Sequence, residues 1–226
     1  MRTCVVVLVS LAFVLIPVSV LGQVKPTLWL GGAFGFGTYA MSDINDDISN
    51  FNAVTGLNMD EINNGFSFGI QAGVNATPAL SLSAGYERLF ASSKVGDYSG
   101  EVEYNFPANA IYGEAQYTFP SPSPFHVGLS GAMGMVSAAG EVKVVVYGYG
   151  SATGDISGSG LFFAGKLVGD YYASPRLIIS PSFGYRFAKI SEFEVDGEPA
   201  YNSDGSRMSL DYSGFILRGG LKVLLN

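Results

Sequence analysis

From residue 27 to the end, the chain alternates in polarity with a period of two across eight segments, and the connections between them alternate in length. Long polar connections fall near 41–64, 92–106, 140–159 and 190–213. Short ones fall near 76–79, 120–124 and 173–175. A strand exposes opposite faces at successive residues, so this period predicts strands with one apolar and one polar face. The long-short rhythm is that of an antiparallel up-and-down barrel crossing a membrane, with loops on one side and tight turns on the other. With eight strands, an even number, both ends of the barrel lie on the turn side.

The faces are read directly. Phe66, Phe68, Ile70, Ala72 and Val74 oppose Ser67, Gly69, Gln71, Gly73 and Asn75; Leu80, Leu82, Ala84 and Tyr86 oppose Ser81, Ser83, Gly85 and Glu87. Val127, Leu129, Met133 and Met135 oppose Gly128, Ser130, Ala132 and Gly134. Leu177, Ile179, Pro181, Phe183, Tyr185 and Phe187 oppose Ser180, Ser182, Gly184 and Arg186. Phe215, Leu217, Leu221 and Val223 oppose Arg218, Gly220 and Lys222. Thr27–Ala40, Ala108–Phe119 and Gly160–Tyr172 supply the remaining three strands. Pro181 sits mid-strand without an N–H to donate, so a local bulge is expected there. Val142–Tyr147 leaves two arrangements open: an extension above the membrane, or separate pairing in a ten-stranded barrel.

Two architectures accommodate such strands. A soluble lipocalin-like ligand-binding barrel keeps its apolar face inside; a membrane barrel turns it outward. Here the polar faces carry mostly Gly, Ser and Ala with single charges, which suits a cramped lumen, while the apolar faces carry bulky Phe, Tyr, Leu and Ile, which suits lipid. Charged residues make up only 14% of the chain, too few for an ordinary soluble surface. The expected fold is therefore all-β, an eight-stranded antiparallel up-and-down transmembrane β-barrel. Tyr117, Phe119, Phe125, Tyr171 and Tyr172 near the turns, and Phe66, Phe90, Tyr185, Phe187 and Phe215 toward the loops, are placed for two interfacial girdles.

Residues 1–22 read as a secretion signal. Arg2 precedes an apolar run from Val5 to Ile16, and Ser19–Gly22 offers small residues for cleavage. The barrel domain is expected over 23–226. The only cysteine, Cys4, lies in the signal, so the exported chain forms no disulfide. No later stretch reaches the ~18 apolar residues of a membrane helix. Lys and Arg total 12 against 19 Asp and Glu, a formal net charge of −7, with the acids concentrated in the connections. That balance argues against nucleic acid as a partner.

Strand phase directs seven charges into the lumen: Glu87, Glu114, Lys166, Asp170, Arg186, Arg218 and Lys222. Isolated charges in a narrow interior are costly, so these are expected to pair. Eight strands leave room for side chains only, which favours a plug that fixes register over a pore. Counted from the turns, Asp170 and Lys222 lie lowest, and the other five share similar depths.

Other motifs carry less. His126 is the single histidine, and no nucleophile and orienting acid can be assembled around it from spacing, so it reads as structural and the chain as no enzyme. Asp43-Ile44-Asn45-Asp46-Asp47 lacks the glycine and glutamate of a calcium loop. It reads instead as a short helix capped by Ser42, with Ile44, Ile48 and Phe51 on one face. The Gly- and Ser-rich stretch 148–160 reads as a flexible loop. No cofactor or metal site is indicated.

The signal, the strand rhythm and the final strand Gly214–Asn226 together resemble the small outer-membrane β-barrels of Gram-negative bacteria, the OmpA/OmpX and opacity-protein type. The usual final residue of that family is aromatic; here it is Asn226 after Leu225. The resemblance implies residence in the cell outer membrane, contact with outer-membrane lipid and lipopolysaccharide, and insertion by the barrel assembly machinery. It also implies a role in envelope structure or in surface and host interaction, with any extracellular ligand held by the loops. The chain stops with the barrel, so no periplasmic domain is expected after it.

Overall fold

The structure, a computed structural model, describes residues 26–98, 100–202 and 204–225; the expected signal falls outside them. Eight antiparallel strands close into a ring: β1 (Thr27–Thr38), β2 (Asn64–Asn75), β3 (Leu80–Leu89), β4 (Ala108–Thr118), β5 (Phe125–Val146), β6 (Gly150–Tyr172), β7 (Leu177–Ile179 and Ser182–Ile190) and β8 (Gly214–Leu224). Each strand pairs with the next, and β1 pairs with β8 from Trp29 opposite Leu224 to Gly37 opposite Ile216. That last ladder abolishes the sheet edge in the barrel wall, so every strand there has two partners.

The apolar faces point outward. Leu28, Leu30, Phe34, Phe68, Ile111, Leu129, Leu167, Leu217 and Leu221 are all exposed on the exterior, while the barrel's buried residues lie on the opposite phase. An exposed belt of this size is a membrane-facing surface rather than a soluble one. Aromatic pairs gather toward the loop end, with Phe34 and Phe36 each 5.6 Å from Phe66 and Tyr185 4.8 Å from Phe187. Tyr117 and Phe119 pair near the turns. Tyr172 departs from the expected girdle: it shares the inward phase of Asp170 and lies 5.2 Å from His126 at the turn-side mouth.

All three short turns are fastened by a hydroxyl. Thr77 Oγ1 accepts the N–H of Leu80, Ser123 Oγ that of Phe125, and Ser174 Oγ that of Leu177. Such side-chain acceptors stand in for backbone ones and suit Ser and Thr to tight turns.

Pro181 breaks β7 without a bulge. Ile179 faces Leu221 and Ser182 faces Arg218, so both strands advance by the same number of residues across the gap. Ser180 and Gly220 still exchange both backbone bonds, and the Pro181 carbonyl accepts the N–H of Gly169. The missing proline N–H costs the ladder one bond on the β6 side, a smaller disruption than the extra residue that the sequence reading expected.

β5 and β6 do not stop at the barrel rim. They hold 22 and 23 residues, about twice the ~9–11 of one crossing, and stay paired up to Val146 opposite Gly150. The connection expected over 140–159 is therefore strand, and Val142–Tyr147 extends above an eight-stranded barrel rather than adding strands to it. The alternation persists there, with Val142, Val144 and Val146 on one face, and glycine-rich backbone still pairs when a partner strand is present. A hairpin of Ser92–Gly96 and Gly100–Asn105 joins β5, while Phe193–Val195 and Glu198–Pro199 join β6. Together they form a sheet that rises from the barrel rim as a tower.

The first long connection carries helix α1 (Ser42–Thr55), which buries Ile44 and Ile48 and ends at Gly56 in the left-handed region. Ser42 is its first residue rather than its cap. The capping position is Met41, which makes no side-chain cap bond. The Asp43 carboxylate instead accepts the backbone N–H and the hydroxyl of Ser209, both at 2.8 Å, tying the helix to the last long connection.

Candidate functional site

The seven charged residues expected inside are all on the inner wall. Counted up from the turns they form three groups. In the lowest, Lys222 Nζ lies 3.0 and 3.2 Å from the Asp170 carboxylate oxygens, and that carboxylate also accepts Gln116 Nε2 at 2.7 Å and Ser180 Oγ at 2.5 Å. Lys222 further donates to Gln116 Oε1 and sits over the Trp29 ring, whose indole N–H donates to Ser81. In the middle group Lys166 Nζ donates to Glu114 Oε2 at 2.7 Å, and Gln71 donates to the same oxygen at 2.9 Å.

In the highest group Glu87 stands between two guanidinium groups, 3.6 Å from Arg186 and 3.4 Å from Arg218. Arg186 also donates to the Tyr212 carbonyl and packs over the Tyr39 ring. Two arginines on one carboxylate leave the group positive, and the ring face of Tyr39 offsets part of that charge. Desolvating such ions costs several kcal/mol each, so the interior tolerates them because each finds an opposite charge.

Room for these long side chains comes from glycines on the inner phase. A Cβ at Gly69 would stand 2.8 Å from Arg218, one at Gly73 2.5 Å from the Trp29 ring, and one at Gly85 2.7 Å from the Tyr112 ring. The polar faces are small where the facing wall sends in something large.

Above Arg186 the lumen changes character. Ile44, Ile48, Met59 and Ile62 of the first connection meet Phe106, Ile156, Ile190, Phe193, Leu210 and Tyr212 in one buried cluster, a cap over the tube that together with the tower makes up the dome of the loop side. Each buried aliphatic chain contributes about 1.5–3 kcal/mol relative to exposure. Hydrogen bonds at its edge fix the pieces: Tyr212 to the Phe106 carbonyl at 2.9 Å, Tyr104 to Asp47 at 2.7 Å, and Ser93 to the Asp60 carbonyl. Asp43 and Asp47, which gave the sequence its faint calcium-loop look, both hold α1 to neighbouring connections. Among the described residues no three His, Cys, Asp or Glu side chains gather as a metal site.

Below Lys166 the lumen is roomier. A polar cavity of about 40 Å³ lies among Gln71, Glu114, Lys166 and Arg218, and a bay of about 320 Å³ at the turn end reaches Asp170, His126 and Lys222. His126 is half-buried at this mouth, its ring beside that of Tyr172.

Gln71, Gln116, Ser180, Tyr112, Trp29 and Tyr39 complete the network and were not singled out from sequence. The signal was available: Gln71, Gln116, Tyr112 and Ser180 share the inward phase of the charges on their strands. What phase does not give is which strand's residue reaches which.

No protein-family profile matches the chain, and no curated protein sequence matches it. Solved structures do. Neisserial surface protein A superposes with a TM-score of 0.54 at 14% identity, over 89% of this chain and all of that one. Outer membrane protein OprG from Pseudomonas aeruginosa gives 0.49 at 10% identity, over 91% and 99% of the two chains. Ail, the attachment invasion locus protein of Yersinia pestis, gives 0.46 at 10%, over 88% and 97%. At such identities the likeness is one of fold, and the fold is that of the eight-stranded outer-membrane barrels.

Proposed function

We propose that this chain is a non-enzymatic outer-membrane barrel of a Gram-negative bacterium, with a plugged lumen that carries an ordered extracellular dome for envelope structure or surface interaction. The observation that carries this reading is the filling of the tube: ion pairs across its middle and an apolar cluster over its loop-side mouth. Residues Glu87, Glu114, Lys166, Asp170, Arg186, Arg218 and Lys222 act as a plug that fixes strand register. The apolar belt contacts outer-membrane lipid and lipopolysaccharide, the final strand is read by the barrel assembly machinery, and any extracellular ligand meets the loops. The acidic balance of the loop side argues against nucleic acid as a partner.

Planar-bilayer recording of the refolded mature chain tests the plug, and silence is the expected result. A small pore is the second reading, supported by the bay that opens toward the turns. Steady conductance that changes with Arg218→Ala would put the pore in place of the plug.

A further inference from the structure

The tower is an amphipathic sheet with part of its apolar face uncovered. On the face that continues the lumen wall, Val95, Val102, Val144 and Ala152 stand in one cross-strand row. The row below, with Tyr104 and Val142, packs on the cap, and Val95 and Val102 touch it from the side. Val144 and Val146 rise past it and are exposed. The opposite face is charged: Lys94, Glu103 and Lys143 form the row behind Val102 and Val144.

Three tyrosines stand in the turns at the top of the tower. Gly100 pairs with Val146, so the two turns that end the hairpin and the β5–β6 ribbon lie side by side. Tyr98 is 94% exposed, Tyr149 93% and Tyr147 55%. Gly148 and Gly150 hold the left-handed backbone that the β5–β6 turn needs and add no side chain to it. Antiparallel sheets place an apolar face against a partner, and exposed tyrosine supplies large contact area at low entropic cost.

Charge identifies the partner. Of the 19 acidic residues, Glu87, Glu114 and Asp170 face the lumen and every other one lies on the loop side. The bases there are Arg88, Lys94, Lys143, Lys189 and Arg207, of which Lys94 is paired with Glu101 and Arg207 with Glu192. A polyanion is repelled by such a surface, a polycation is drawn to it, and ammonium or guanidinium groups bind tyrosine ring faces. We propose that the upper tower, Tyr98, Val144, Val146, Tyr147 and Tyr149, docks a basic polypeptide segment with apolar residues between its charges. The proposal rests on the reading of the dome as an interaction surface.

The test uses the mature chain in lipid nanodiscs and three fluorescent probes: a short alternating Lys–Leu peptide, an all-lysine peptide of equal charge, and a sulfated polysaccharide. The expected result is saturable binding of the Lys–Leu peptide, weakened by salt, with the all-lysine peptide weaker and the polysaccharide unbound. Joint replacement Tyr98→Ser, Tyr147→Ser and Tyr149→Ser, or Val144→Ser with Val146→Ser, is expected to lower affinity by roughly tenfold or more. Retained heat-modifiable gel mobility certifies the barrel in each variant. Binding of the polysaccharide, equal binding of the two peptides, or affinity unmoved by both variants overturns the tower site. If trimming the tower back to the rim abolishes peptide binding while those variants do not, the dome remains an interaction surface and only this site falls. If trimming changes nothing, both fall.

Discussion

Below Arg186 the tube is filled by charged side chains that meet in pairs across it; above Arg186 it is filled by aliphatic and aromatic side chains brought in by long connections. The two fillings depend on different things. The charges stand on strands whose backbone is bonded on both sides, so their separations are set by the ladder and any change is felt by the whole ring. The cap has helix α1 and short strand pieces, with few ladder bonds of its own, so its integrity depends on packing. A closed ladder makes a sparse polar filling affordable, while loops must bury apolar surface to stay in place.

The comparison is broken most directly at Glu87. Replacing it by alanine leaves Arg186 and Arg218 facing each other without their shared carboxylate. Removing one partner of a buried ionic group costs about 3–5 kcal/mol. The expected outcome is a lower urea midpoint for the heat-modifiable form of the whole barrel. A midpoint equal to that of the native chain would mean that the ladder alone sets stability and that the ion pairs contribute little.

Ile48→Ala probes the other half. Ile48 is fully buried in the cap, and such a truncation costs about 2–5 kcal/mol at its site. The cost is expected to appear as protease cleavage within residues 42–62 at unchanged heat-modifiable mobility, because the cap opens without the ring. Loss of the mobility shift together with the new cleavage would show that cap and barrel unfold as one unit.

The two halves also differed in how far the sequence disclosed them. Strand phase put all seven luminal charges on the inner wall, because a closed membrane barrel forces strict alternation and lipid tolerates few exceptions. It could not assign Glu87 to two arginines rather than Glu114, since partners across a ring depend on strand stagger. The cap was legible only in α1, where Ile44, Ile48 and Phe51 show helical spacing. Its other half comes from Phe106, Ile156, Ile190, Phe193 and Leu210, which are scattered over three connections with no shared period. The tower was legible only in Val142–Tyr147, whose extension above the membrane was one of two arrangements left open; its partner strand was missed for a related reason. Gly and Ser at 148–160 resemble loop composition, and only the pairing with Gly140–Val146 makes them strand.

The smallest expected effect lies where the dome is held by a single polar contact. Tyr104 donates to Asp47, and burial first, then that carboxylate, holds its phenol above its ordinary value of 10.0. The folded state therefore keeps this proton at a pH where the unfolded chain releases it. Stability from this group is complete below about pH 10 and falls as pH rises beyond it. Tyr212, buried and bonded to the Phe106 carbonyl, is raised in the same direction and adds to the slope. Tyr104→Phe removes one of the two, and Asp47 is exposed enough to rehydrate, so the loss at neutral pH is expected near the lower end of about 0.5–1.5 kcal/mol. Near-ultraviolet dichroism of the dome during urea titrations from pH 8 to pH 11 reads both terms. The variant should start slightly lower and decline less steeply than the native chain. Parallel declines would mean that Tyr104 ionises as readily in the fold as outside it, and that the contact with Asp47 positions α1 without stabilising it.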